Sequence, residues 1–181
     1  MSYSLYGGRI GITFSDFTEK SITSIEPMDD SDGLEYGIKY NFYISIYEND
    51  YDTTYAIKVK DGDLIDGLTL IDDGAIKYSL SRDGDEVASG TLTSETVYTE
   101  QILISGEIGI DYEDIKYYEL TLWVGDNLLI TNSTCPSNKV CYSSIDNLYL
   151  SKKVVIEESK SIEETTNTET YDKLVELIKK I

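Results

Sequence analysis

Histidine is missing from this 181-residue chain, cysteine occurs only twice, and basic residues are outnumbered by acidic ones, 15 to 34. Each shortage removes a class of function. Without histidine there are no ordinary zinc sites, no His-based triads and no histidine general base at neutral pH, so most familiar hydrolase mechanisms lose their central residue. The expectation is a protein that is not an enzyme. A net charge of −19 opposes any electrostatic hold on phosphate backbones or anionic membranes, so no nucleic-acid partner is expected. No stretch approaches the roughly eighteen apolar residues of a membrane span, and "MSYSLYGGRIGITF" lacks the basic start and continuous apolar run of a signal peptide. The chain is therefore read as made in the cytoplasm without a signal peptide and not inserted in a membrane.

What is abundant is tyrosine, 16 residues against three phenylalanines and one tryptophan, which suits sheets with one wet face and protein contact surfaces. Alternation dominates the pattern. In "EYGIKYNFYISIYE", Ile38, Tyr40, Phe42, Ile44 and Ile46 share one side of a strand. "NDYD" reads as a turn into "TTYAIKVK", with Tyr55, Ile57 and Val59 inward, so the two runs read as a hairpin. Asp83-Gly84 lies between the alternating runs "YSLSR" and "DEVASGTL", the strongest local hairpin signal in the chain. "IKYYELTLWV" sets Tyr118, Leu120, Leu122 and Val124 against the opposite side, and "GDN" reads as a turn back into "LLITNS". Six to eight such strands with no long helix among them indicate a mainly β fold, a two-layer antiparallel β-sandwich, followed by a C-terminal amphipathic helix.

The run from about Tyr40 to Thr134, above all "IKYSLSRDGDEVASGTL" and "YYELTLWVGDNLLIT", resembles an immunoglobulin-like sandwich of the kind found in bacterial surface proteins and in accessory proteins of viral particles. A jelly roll is the alternative topology. No cysteine pair links the strands of this run, and Trp123 falls late in the order, which departs from the antibody pattern. The expected organisation is an N-terminal strand or arm over 1–34, joined by a loop and open to pairing outside the sandwich, the sandwich itself over 35–156, an acidic Ser/Thr-rich linker over 157–168 and the helix over 169–181.

Candidate sites are few. Asp61, Asp63 and Asp66 in "DGDLIDG", and Asp72 and Asp73 in "IDDG", could offer calcium the clustered oxygens it prefers, while turn formation accounts for Asp and Gly there without a metal. No cofactor is expected, and calcium is kept as the alternative. Cys135 and Cys141 frame a short loop that could carry either a disulfide or two thiols. The terminal helix is more informative. Tyr171, Leu174, Leu177, Ile178 and Ile181 form one apolar stripe, Thr166 and Glu169 have capping-box spacing, and Lys179 and Lys180 suit the negative end of the dipole. A helix of about 12 to 15 residues is marginal alone in water, so this stripe needs a partner.

The partner is either the chain's own sandwich or other protein subunits, including further copies of this chain. These features lead to the expectation of a non-enzymatic structural or attachment protein. The resemblance places it in a viral or phage particle (capsid decoration, tail, baseplate or fibre), so its expected location after assembly is the virion. The alternatives are a cell-surface carbohydrate- or calcium-binding module and an acidic inhibitor that mimics nucleic acid.

Overall fold

Strict alternation builds most of the chain into strands, and two sheets bury their apolar faces against each other. The computed structural model describes residues 2–4, 9–47, 53–94, 100–108, 114–159 and Ile178. One sheet runs β1 (Ser2–Ser4), β2 (Arg9–Phe14), β4 (Ile38–Tyr47), β10 (Asp114–Val124), β7 (Ile76–Arg82) and β8 (Asp85–Thr91), every neighbour antiparallel. The other runs β3 (Glu19–Ile22), β13 (Leu148–Ser159), β5 (Thr53–Asp61) and β9 (Gln101–Ile108), also antiparallel. A two-residue strand, β6 (Thr69–Leu70), adds a short parallel pairing to the start of β13.

The core lies between these sheets. Tyr40, Phe42 and Ile44 of β4 and Leu120 and Leu122 of β10 face Ile57 and Val59 of β5 and Leu150, Val154 and Ile156 of β13. Phe14, Phe42 and Tyr118 stand at paired positions on three adjacent strands, with ring centroids 5.2 and 5.4 Å apart. Cross-strand aromatic pairs of this kind each contribute roughly 0.2 to 1 kcal/mol. The Asp83-Gly84 hairpin forms as read, with φ of 51° and 91° at its two central residues, the combination a type I′ turn requires. Its tip is held by Asp83, whose N–H donates to the Tyr117 carbonyl while its Oδ1 accepts from Tyr117 N–H.

The structure corrects four sequence expectations. Residues 9–34 are not an arm outside the sandwich, because β2 pairs with β4, β3 pairs with β13, and Ile12, Phe14 and Ile25 are buried in the core. β4 and β5 are not a hairpin, since they lie in opposite sheets. Alternation fixes which side of each strand is apolar, and that is satisfied equally by facing across the core. After β10 the chain does turn at Gly125, but β11 (Leu128–Ile130) pairs in parallel with β12 (Val140–Tyr142) and not back onto β10. The sandwich also runs past 156, for β13 continues to Ser159, where Glu157 pairs with Lys58 of the neighbouring strand.

The polar stretch before β4 is not a plain loop. It forms α1 (Asp30–Tyr36), whose N-cap Asp29 accepts from Asp32 N–H at 2.8 Å. α1 covers the outer side of β10, where Trp123 is buried. Gly33 sits directly against the indole, and a Cβ there would run into the ring. The glycine weakens the helix by about 1 kcal/mol relative to alanine but permits this close approach.

Candidate functional site

Period-2 geometry sends Leu148, Leu150, Lys152, Val154 and Ile156 to the same side of β13, and all five are buried. Lys152 is only 2% exposed, a lysine on an otherwise apolar face. Its partner in the ladder is Asp61, which ends β5 on the same parity as Tyr55, Ile57 and Val59. The third member comes from far away in sequence. Asp73 opens a single 3₁₀ turn, Asp73–Ala75, that feeds into β7, and Asp72 caps this turn by accepting from Gly74 N–H at 2.7 Å.

Lys152 Nζ lies 2.5 Å from Asp61 Oδ1 and 2.7 Å from Asp73 Oδ1, and the two aspartate side chains are about nine-tenths buried. The other oxygen of Asp73 accepts from Gln101 Nε2 at 2.8 Å. That glutamine is fixed in turn by Thr93, whose N–H donates to Gln101 Oε1 at 2.7 Å and whose carbonyl accepts from Nε2 at 3.0 Å. The Lys152 carbonyl accepts from Tyr40 Oη at 2.7 Å, which ties β13 to β4 across the core. Burial pushes the Asp73 carboxyl above its usual range, with the Asp61 charge acting in the same direction; the hydrogen bonds from Lys152 and Gln101 and the charge of Lys152 oppose the rise. One cation between two carboxylates is unbalanced if both acids are ionised, and a buried uncompensated charge costs several kcal/mol. Burial favours the protonated form of Asp73, which lowers that cost.

Of Asp61, Asp63 and Asp66, the structure brings Asp61 alone into this centre. Asp61 is committed to Lys152, whereas Asp63 and Asp66 lie exposed in the following loop. The loop is held by its backbone, through Leu68 N–H to the Ile65 carbonyl and Ile65 N–H to Tyr149 Oη, as turn chemistry requires. Among the described residues no group of three acidic or cysteine side chains is positioned to hold a metal, so the calcium reading of Asp61, Asp63 and Asp66 is not supported. Cys135 and Cys141 are joined in a disulfide that closes the connection between β11 and β12. Tyr171, Leu174, Leu177 and Ile181 lie outside the described residues. Ile178 is described as helical and is 62% exposed.

Sequence reasoning missed Lys152 and Gln101, and read Asp73 only as a turn residue or calcium candidate. For Lys152 a signal was present, since it occupies an inward position between Leu150 and Val154 in "LYLSKKVVI". Gln101 carried none, because it reaches the centre from a remote strand end, and nothing in the sequence joins Asp73 to Lys152.

The fold and its polar centre define the chain as an antiparallel β-sandwich whose two sheets are joined by buried polar contacts. No family model matches the chain, and no curated protein is significantly similar to it. A solved structure, the PA14 domain of MpAFP antifreeze protein, is similar at 19% identity over 48% of this chain and 38% of that one, with a TM-score of 0.23. A likeness of that size carries no argument about either fold or function.

Proposed function

We propose that this protein is a non-enzymatic structural or attachment component, held to other protein subunits of an assembly through its C-terminal segment. The observation that carries this reading is Ile178. It belongs to the apolar stripe read from the sequence of the C-terminal segment, and in the structure it is helical and 62% exposed, so its side chain is not buried. A fully buried Ile or Leu contributes roughly 1.5 to 3 kcal/mol, and that contribution is open to a partner. The proposed setting is a viral or phage particle, as a capsid decoration or a tail, baseplate or fibre component. That placement rests on the architectural resemblance of the strand runs.

The test is the mass in solution of the full chain and of Ile178→Asp, by light scattering over a range of concentrations. Self-association that the substitution abolishes supports the reading. A monomer whose melting temperature falls on the same substitution contradicts it, since the helix would then be packed on its own sandwich.

A further inference from the structure

The centre around Lys152 holds the parts of an acyl-transfer reaction. An amine lies within hydrogen-bond distance of two carboxyl groups, and all three side chains are largely shielded from water. The arrangement of one ammonium, one carboxylate and one carboxylic acid contains the same protons as one neutral amine and two carboxylic acids. The two differ only in the position of a single proton along the 2.5 Å contact from Nζ to Asp61 Oδ1. Low-dielectric surroundings disfavour separated charges and so narrow the gap to the neutral form, which is the form in which an amine is a nucleophile and a carboxyl an electrophile.

We propose that Lys152 and Asp73 become joined by an intramolecular amide bond, formed by the folded protein on itself. The lone pair of Lys152 Nζ adds to Cγ of Asp73. Negative charge develops on Asp73 Oδ2, where Gln101 Nε2 donates from 2.8 Å, as an oxyanion donor does. Asp61 accepts a proton from Nζ and passes it to Asp73 Oδ1, which leaves as water. One C–N bond forms, one C–O bond breaks, and one water is released, so no oxidant or co-reactant is consumed.

Asp73 is the acyl partner for two reasons. It alone of the two acids has Gln101 on its second oxygen, and its carboxyl is held above the usual range by burial, which keeps it electrophilic. Asp61 is the cross-strand neighbour of Lys152 and is placed to move the proton. The bond would span 79 positions of sequence and fasten β13 of one sheet to the turn that leads into β7 of the other. β13 is the last strand among the described residues and leads into the C-terminal segment, so a load applied there would reach the cross-linked strand directly. The bond stands independently of what that segment binds.

The experiment is the intact mass of the reduced, denatured full-length protein, together with peptide mapping. The expected mass is lower than the sequence mass by one water. Mapping should give a branched peptide containing residues 73 and 152, with no tryptic cleavage after Lys152. Lys152→Arg and Asp73→Ala should each restore the full sequence mass, and Asp61→Ala should slow or prevent the loss of water. A wild-type protein at the full sequence mass overturns the proposal, whatever the variants do. So does a loss of water that persists in Lys152→Arg, because that marks dehydration at an Asp-Gly pair such as Asp73-Gly74.

Discussion

The hydroxyls of Tyr55 and Tyr118 meet 2.7 Å apart inside the sandwich, one from each sheet. Two phenols on the inner faces of opposing strands could have been phenylalanines if only volume mattered. Their hydrogen bond fixes how the sheets sit on each other, and the Arg82 guanidinium lies close enough to act on both hydroxyls. Tyr40, donating to the Lys152 carbonyl, does the same at a second position. Part of the tyrosine excess seen in the composition therefore serves the interior as well as the surface.

Tyr55→Phe is expected to destabilise the fold by about 1 kcal/mol, the lower end of the cost of leaving a buried hydroxyl short of a partner, because Arg82 still serves Tyr118. The double variant Tyr55→Phe/Tyr118→Phe should lose less than the sum of the two single changes. A double-mutant cycle by urea unfolding measures the difference, and strict additivity would show that the two hydroxyls do not interact.

Alkaline pH should weaken the protein through the same groups. Burial pushes the Tyr40 and Tyr55 hydroxyls above the ordinary value of 10.0, helped by the charge of Glu19 at Tyr40 and by the Tyr118 hydrogen bond at Tyr55. As pH rises the unfolded chain releases these protons first. The stability they contribute is complete below that ordinary value and is lost as pH climbs through the folded-state values. Urea midpoints measured from about pH 9 upward should fall, and Tyr40→Phe/Tyr55→Phe should flatten the fall. An equal slope in both proteins would rule out these two tyrosines as its source.

Gly33→Ala reverses an intuition about helices. Alanine favours a helix over glycine by about 1 kcal/mol, yet here the added methyl meets the Trp123 ring. Net destabilisation of about 1 to 3 kcal/mol is expected. Trp123 is the chain's single tryptophan, so its emission spectrum reports the contact directly. A more stable protein with unchanged emission would mean that α1 does not rest on the indole.

At the β7–β8 turn, Gly84 has φ of 91°. Gly84→Val should cost at least the roughly 1 to 2 kcal/mol of a left-handed L-residue, and Gly84→Asn less. Thermal unfolding of the two variants gives the order, and equal effects would argue against the type I′ geometry.

Local pattern made some of this fold readable and left other parts hidden. Tyr40, Phe42 and Ile44, or Tyr55, Ile57 and Val59, announce an inward face because the side-chain period of a strand is two. That period does not say which strand lies alongside, so β4 and β5 read as a hairpin although they face each other across the core. α1 escaped because seven residues are too few for a helical period and "DSDG" resembles a turn. Its glycine makes sense only beside Trp123, ninety positions later in the numbering. Lys152 was visible by parity, but its meaning depends on Asp73 and Gln101, which tertiary structure alone delivers. In the sequence Leu174, Ile178 and Ile181 read as one apolar helical stripe, whereas its partner is not written in the chain.

The central claim is that the sandwich stands alone and the C-terminal segment serves attachment. The measurement that tests it most directly compares the full chain with a chain ending at Ser159, by melting temperature and solution mass together. The account predicts that self-association is lost while the melting temperature of the sandwich stays the same. A monomeric full chain that melts several degrees higher than the shortened one would contradict it, since a shift of about 2 to 4 °C per kcal/mol at this size would report apolar surface buried within the molecule.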